Sequence, residues 1–327
     1  MDIKSRIFNI LTLEEFQEIA LDIFRFQYNN VKVYHDYVSL LGVVPDKVET
    51  IEEIPFLPIQ FFKTHNVIVN NQSPQITFTS SGTTGNETSK HLVSDKSLYI
   101  DSFTKGFELF YGNPGDYCIL ALLPSYLERT GSSLVFMVDE LIRQTKNSNS
   151  GFFLNQYDEL IRILSDIDSK GEKCLLIGVS FALLDIAEKY HLNLENIIVM
   201  ETGGMKGRRK EIIRNELHGI LCNAFGVGAI HSEYGMTELL SQAYSNGNGI
   251  FRCPPWMKVL VRDLYDPLSS KSTGSSGAIN IIDLANINSC AFIQTQDLGK
   301  LFGDGSFEVL GRMGNAPVRG CNLLVYE

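Results

Sequence analysis

The segment Thr79-Ser80-Ser81-Gly82-Thr83-Thr84-Gly85 gathers five hydroxyl side chains around two glycines, directly after the strand-like stretch Gln75 to Phe78. Small residues let successive backbone amides turn toward one anion, and the hydroxyls add donors. Lys90, five positions beyond Gly85, adds a full positive charge. The chemistry this suits is the cradling of a phosphate group by Ser80, Ser81, Gly82, Thr83, Thr84 and Gly85. No glycine precedes the lysine as in a Walker loop, so the P-loop NTPase pattern is not met. A polar surface turn is the competing reading.

A second segment, Glu233-Tyr234-Gly235-Met236-Thr237-Glu238, follows about 150 residues later. An aromatic ring can stack on a purine, a threonine hydroxyl can meet a phosphate, and a carboxylate can hold the magnesium that accompanies ATP. Read alone, Tyr234 also suits a packed core aromatic and Glu238 a solvated charge at a helix start.

Several elements would position these residues. Thr12 followed by Glu15 reads as a capping box, and Leu13, Phe16, Ile19, Ala20, Ile23 and Phe24 then recur at helical spacing. Ile54 to Phe62 carries Pro55 and Pro58 among large apolar groups, which predicts an extended, packed connector. Strand patterns at Tyr117 to Leu123, Cys174 to Val179, Ile197 to Met200 and Ala278 to Ile282 accompany helical patterns at Leu134 to Arg143, Leu160 to Ile167, Phe181 to Tyr190 and Arg209 to Leu217. That alternation predicts an α/β fold of βαβ units with a mainly parallel sheet and ligands at the carboxyl ends of strands. Beyond Phe251, shorter strands with turns such as Gly303-Asp304-Gly305 predict a small β-rich portion.

The 327 residues, 44% hydrophobic and 20% charged, suit one enzyme-sized soluble unit. A formal charge of −10 with no basic stripe argues against nucleic acid or an anionic lipid surface as partner. The N-terminus lacks the pattern of a secretory signal, and no apolar run approaches the ~20 residues of a spanning helix, so a cytoplasmic protein is expected. Six cysteines stand singly at long intervals, which fits buried reduced thiols better than a metal knuckle or a disulfide framework.

Taken together, the hydroxyl-rich loop and the Tyr-Gly-x-Thr-Glu motif resemble the adenylate-forming superfamily of acyl-CoA synthetases, adenylation domains and luciferases. Gln296-Asp297-Leu298-Gly299 and Gly311-Arg312 are similar to that superfamily's later pair. Within it, the chain resembles the acyl-protein synthetases of bacterial bioluminescence, the long-chain fatty acid to luciferin-component ligase family. That likeness rests on Ile54 to Pro58 with Phe62-Lys63, on Ser80 to Gly85, on Leu123 to Arg129 with Gly131-Ser132-Ser133, on Thr202 to Arg208, and on Arg319-Gly320-Cys321.

The resemblance implies an adenylate-forming N-terminal domain, with residues 1–75 a helical region packed on the core, 76–260 the nucleotide-binding α/β core and 261–327 the β-rich closing portion. It implies ATP and Mg2+ as cofactors and a carboxylic, by family default fatty, acid as substrate. Thr237 would meet the α-phosphate, Glu238 the magnesium, Asp297 the ribose and Arg312 the nucleotide. Gly203, Gly204 and Met205 would line the adenine, with Tyr234, Gly235 and Met236 beside it, and Lys206 could meet phosphate oxygens or belong to a solvated face. For Thr202 to Gly204, a turn from strand to helix is an equal reading. Ser125-Tyr126 and Gly131 to Ser133 would lie near the acyl group. A thiolate attacks acyl adenylates readily, and Arg319 could lower the pKa of Cys321, the cysteine that the family uses as acyl acceptor. A structural cysteine is the alternative.

The superfamily's mobile C-terminal domain, which brings a catalytic lysine, is expected to have no room after Cys321, so either another group such as Lys90 or Lys206 supplies that charge or adenylation is slow without a partner. A protein thiol is then favoured over coenzyme A as acceptor, with an acyl reductase or acyl-carrier protein as partner. Two other functions stay open: an aryl- or acyl-CoA ligase related to phenylacetate-CoA ligases, and a non-catalytic nucleotide-binding subunit of an acyl reductase complex.

Overall fold

After a short α1 (Ile3–Ile7), Thr12 caps α2 (Leu13–Asn30) as the sequence predicts. The Glu15 amide donates to Thr12 Oγ1 at 3.2 Å, and Glu15 Oε2 accepts from the Thr12 amide at 3.3 Å. These are coordinates of a computed structural model describing residues 3–80, 88–123, 131–203, 209 and 212–313. Phe16, Ile19, Ala20, Ile23 and Phe24 are buried on one face of α2, which packs on α3 (Lys32–Leu40). Phe24 also meets Phe292 edge-on at 6.2 Å. The proline-rich connector is extended at β1 (Leu57–Pro58), followed by one turn of helix, α4 (Phe61–Thr64).

β2 (Ile76–Thr79) and β3 (Lys90–Val93) pair antiparallel around the hydroxyl-rich loop, most of which lies outside the described residues. Then α5 (Lys96–Tyr111) precedes β4 (Cys118–Leu122), α6 (Ser133–Gln144), β5 (Gly151–Phe152), α7 (Tyr157–Ser169), β6 (Cys174–Val179) and α8 (Ser180–Ala187). β7 (Ile197–Thr202), α9 (Arg214–Phe225), β8 (His231–Tyr234) and β9 (Ala243–Ser245) complete this part. The sheet runs β5-β4-β6-β7-β8-β9, parallel except for β9. Every residue of β4 and β6 is buried, which explains their unbroken apolar sequence. Where the sequence predicts a helix from Arg209, α9 starts at Arg214. Arg209 instead pairs with Asp185 and Glu188 at the end of α8.

β10 (Ile250–Phe251), β11 (Met257–Arg262), β12 (Ser276–Asp283), β13 (Phe292–Leu301) and β14 (Phe307–Arg312) form a second sheet in the order β10-β14-β13-β12-β11. The pairs among these are antiparallel, and β1 adds to β13 in parallel. β13 is long enough to pair at one end with β1, through Ile293 and Gln294, and at the other with β14, from Asp297 to Leu301. The boundary expected at 260/261 therefore falls inside β11, and the second sheet draws β1 from the N-terminal part of the chain.

Candidate active site

The segments singled out in the sequence meet where the parallel sheet faces the antiparallel one. β7 and β8 are neighbours, with Thr202 opposite Glu233, so Thr202-Gly203 and the motif beginning at Glu233 leave the sheet side by side at its carboxyl edge. Thr202 Oγ1 donates to Glu233 Oε2 at 2.5 Å. Gly203 turns with φ +68°, and its carbonyl accepts from Ser180 Oγ at 3.0 Å. A side chain at Gly235 would place its Cβ 2.5 Å from Glu233 Oε1, so any larger residue there would have to displace that carboxyl.

Tyr234 links the two sheets: its hydroxyl donates to Asp297 Oδ2 at 2.8 Å. Asp297 stands opposite Arg312 across β13 and β14, with Arg312 Nε 3.9 Å from Asp297 Oδ1. The Asp297 side chain is 18% exposed and that of Arg312 58%, so this pair borders solvent. Burial raises the Asp297 carboxyl above its ordinary value, against the Tyr234 hydrogen bond and the Arg312 charge.

Glu238 is 5% exposed. Burial pushes its carboxyl up, while a hydrogen bond from Ser89 and attraction to Arg312 oppose that shift. Ser89 also closes the stem of the hydroxyl-rich loop. The Ser80 amide donates to Ser89 O at 3.1 Å, and the Ser89 amide donates to Ser80 Oγ at 2.9 Å. Both ends of the candidate phosphate loop are thereby fixed next to Glu238.

Beneath the motif lies a polar layer that sequence reasoning missed. His91 Nδ1 donates to Thr237 O at 2.9 Å, its Nε2 faces Asn286 Oδ1 at 2.9 Å, and Asn286 Nδ2 donates to Glu238 O at 2.8 Å. Asp283 accepts from the amides of Leu240 at 2.7 Å and Ser241 at 3.0 Å and from Ser241 Oγ at 2.5 Å. Alternation along β3, in which Ser89 and His91 are buried and Lys90 exposed, was the available signal for the first of these groups.

Two more carboxyls sit under the β7–β8 edge. Burial drives Glu233 up to about 7, despite the Thr202 hydrogen bond and aided by the charge of Glu201. Burial acts on Glu201 too, but His218, whose Nε2 lies 3.7 Å away, with Ser232 and the Arg214 charge outweighs it and holds that carboxyl below its ordinary value. Arg214 Nε lies 3.5 Å from Glu201 Oε1, and its guanidinium covers Phe251 at 5.1 Å.

The predicted residues Ser80, Glu238, Thr237, Tyr234, Gly235, Met236, Asp297, Arg312 and Gly203 thus fall in one region. Lys90 stands at the loop stem opposite Thr79, exposed on the face of β3 away from Ser89 and His91. Ser81, Gly82, Thr83, Thr84, Gly85, Gly204, Met205, Lys206 and Cys321 lie outside the described residues, as do Ser125 and Tyr126. Gly131 presses its carbonyl on the Thr79 amide at 2.8 Å, and Ser132 caps α6, so Gly131 to Ser133 form a helix entry. Of the cysteines, Cys118, Cys174 and Cys290 are free and buried, and Cys222 and Cys253 are free and partly buried.

No protein-family model matches the chain. Over 334 residues it is 23% identical to the long-chain-fatty-acid–luciferin-component ligase of Aliivibrio fischeri, covering 94% of this chain and 86% of that protein. Among solved structures it is similar to 2-hydroxyisobutyryl-CoA ligase in its postadenylation state with an acyl-AMP, at TM-score 0.67 and 11% identity over 94% of this chain and 70% of that one. ATP-bound MatB of Rhodopseudomonas palustris superposes at TM-score 0.55 and 17% identity over 75% of this chain. The match spans about half (49%) of MatB's own length. The fold is that of these adenylate-forming ligases.

Proposed function

From a chain with the adenylate-forming ligase fold and a likeness to a fatty-acid ligase along most of its length, we propose an ATP-dependent activation of a carboxylic acid, by default a fatty acid. A carboxylate oxygen attacks the α-phosphorus of ATP, pyrophosphate leaves, and acyl-AMP is formed. A thiolate then attacks the acyl carbon and AMP leaves. The observation that carries this reading is the convergence of three segments far apart in sequence: the stem of the hydroxyl-rich loop, Glu238 held by Ser89, and the Tyr234–Asp297–Arg312 set.

In this reading Ser80 to Gly85 enclose the phosphates, Lys90 supplies counter-charge at the loop stem and Thr237 meets the α-phosphate. Asp297, fixed by Tyr234, takes the ribose hydroxyls, with Arg312 on the nucleotide. Gly203, Gly204 and Met205 line the base, and Lys206 lies near the phosphates. Among the described residues no group of three or more His, Cys, Asp or Glu side chains could hold a metal ion by itself. One buried carboxylate with acceptor capacity left does fit Mg2+, which is normally bound by one or two carboxylates plus substrate phosphates. Bound there through Glu238 and the phosphates, Mg2+ would neutralise charge on the departing pyrophosphate. The rest of the rate enhancement comes from positioning and from donors fixed before reaction.

Cys321 is assigned as the acyl acceptor, with an acyl reductase or acyl-carrier protein downstream. Likeness over 94% of the chain to a coenzyme A ligase favours coenzyme A as the second reading. The cytoplasm, where ATP is at hand, is the assigned compartment. Among the described residues no helix is long and apolar enough to cross a membrane.

The test is acid-dependent exchange of labelled pyrophosphate into ATP across short, medium, long and aromatic carboxylates, followed by trapping of acyl-protein with labelled acid. Exchange and label on the wild type, with exchange retained and label lost in Cys321→Ala, support the protein-thiol route. Label transfer to coenzyme A in both forms supports the second reading, and no exchange with any acid overturns adenylation.

A further inference from the structure

His91 and Asn286 hold the motif from below. A backbone carbonyl can only accept, so a hydrogen bond at Thr237 has His91 Nδ1 as its donor. Burial lowers the imidazole to about 4, so at neutral pH the ring holds one proton. The amide nitrogen of Asn286 is committed to Glu238 O, which leaves its oxygen facing His91 Nε2. Asn286 is in turn fixed through its own carbonyl, which accepts from Gln27 Nε2 at 3.0 Å. His91 and Asn286 are 0% and 1% exposed and touch two consecutive carbonyls of the motif. Those carbonyls belong to the two residues proposed above to meet the α-phosphate and the magnesium.

We propose that His91 and Asn286 are positioning residues that fix the main chain of Thr237 and Glu238 and thereby aim the Thr237 hydroxyl and the Glu238 carboxylate. The consequence for catalysis rests on the adenylation reading; the positioning itself does not. The ring takes one proton between two acceptors, so the hold on Thr237 belongs to the Nδ1-protonated tautomer. A side chain with an N–H in that place restores the hold, and an apolar one of similar size does not.

The experiment compares wild type, His91→Leu and His91→Gln by backbone hydrogen exchange read by mass spectrometry, beside pyrophosphate exchange. In His91→Leu, peptides covering 233–241 should exchange roughly tenfold faster, the loss of one buried hydrogen bond, with other regions unchanged. His91→Gln should recover most of that protection. In the same series the turnover of pyrophosphate exchange should fall in His91→Leu with little change in the acid KM, and recover in His91→Gln. Unchanged protection of 233–241 in folded His91→Leu, or faster exchange along the whole chain alike, overturns the proposal. Should His91→Leu fail to fold, His91→Gln against wild type decides: protection of 233–241 within about twofold of wild type upholds the pair, and a larger loss overturns it. Absence of pyrophosphate exchange in the wild type counts against adenylation alone, since the protection data judge the pair independently.

Discussion

Glu238 and Asp283 are both buried carboxyls bound to one stretch of chain, yet they face opposite ways. Asp283, 0% exposed, accepts two amides and a hydroxyl, and burial raises it to about 6. Its layer continues through Ser241, whose hydroxyl meets Ser102 at 2.9 Å, to Trp256, whose Nε1 donates to Ser102 Oγ at 3.0 Å. Among the described residues Glu238 has one side-chain donor, Ser89, beside its own backbone amide, and it lies in the field of Arg312 and Asp297. A buried carboxylate offers about four acceptor positions, and leaving them unmet is costly. Among the described residues the lower carboxyl is the more fully bonded, as a support for the segment would be, and the capacity left at Glu238 is what the proposed ligand site requires.

The largest expected effect lies in the lower layer. Asp283→Ala leaves two amides and a hydroxyl without their acceptor, at a cost of about 3 kcal/mol or more. Urea unfolding monitored by circular dichroism measures it, and a loss below about 1 kcal/mol would erase the contrast. Glu238→Ala should do the reverse: pyrophosphate exchange falls roughly 100-fold or more while unfolding free energy holds or rises, since a desolvated carboxyl is removed. Tyr234→Phe frees Asp297 from its donor and should lower affinity for ATP about tenfold, read by titration calorimetry.

A smaller effect is read in pH. Glu233 is raised in the fold from 4.5 to about 7, so the native state holds its proton more tightly than the unfolded chain. Its contribution to stability is complete below about pH 4.5 and is lost as pH rises toward 7. Glu233→Gln should therefore flatten the fall in unfolding free energy across that window, and an unaltered slope would remove Glu233 from the titrating set.

How far the sequence reveals this contrast depends on where each partner lies. The capping box of α2 spans the four residues Thr12 to Glu15, and the buried strands β4 and β6 show as unbroken apolar runs, so both are visible locally. The segments of the upper layer are visible too, as short runs of small, hydroxylic and acidic residues of the kind that the proposed phosphate and nucleotide chemistry would need. The lower layer is not: His91 meets Thr237 and Asn286 across 146 and 195 residues, and each looks like an ordinary polar residue in its own neighbourhood. β1 is hidden for the same reason. Pro58 argues against a central strand, and only its position beside Gln294 gives it a parallel partner.

The contrast between the two layers is tested most directly by titrating ATP into wild type and Glu238→Gln with and without Mg2+. Wild type should bind ATP more tightly when Mg2+ is present, and Glu238→Gln should lose that gain while unfolding at the same denaturant concentration or higher. A folded Glu238→Gln protein with the full Mg2+-dependent gain would show that Glu238 is no more a ligand site than Asp283.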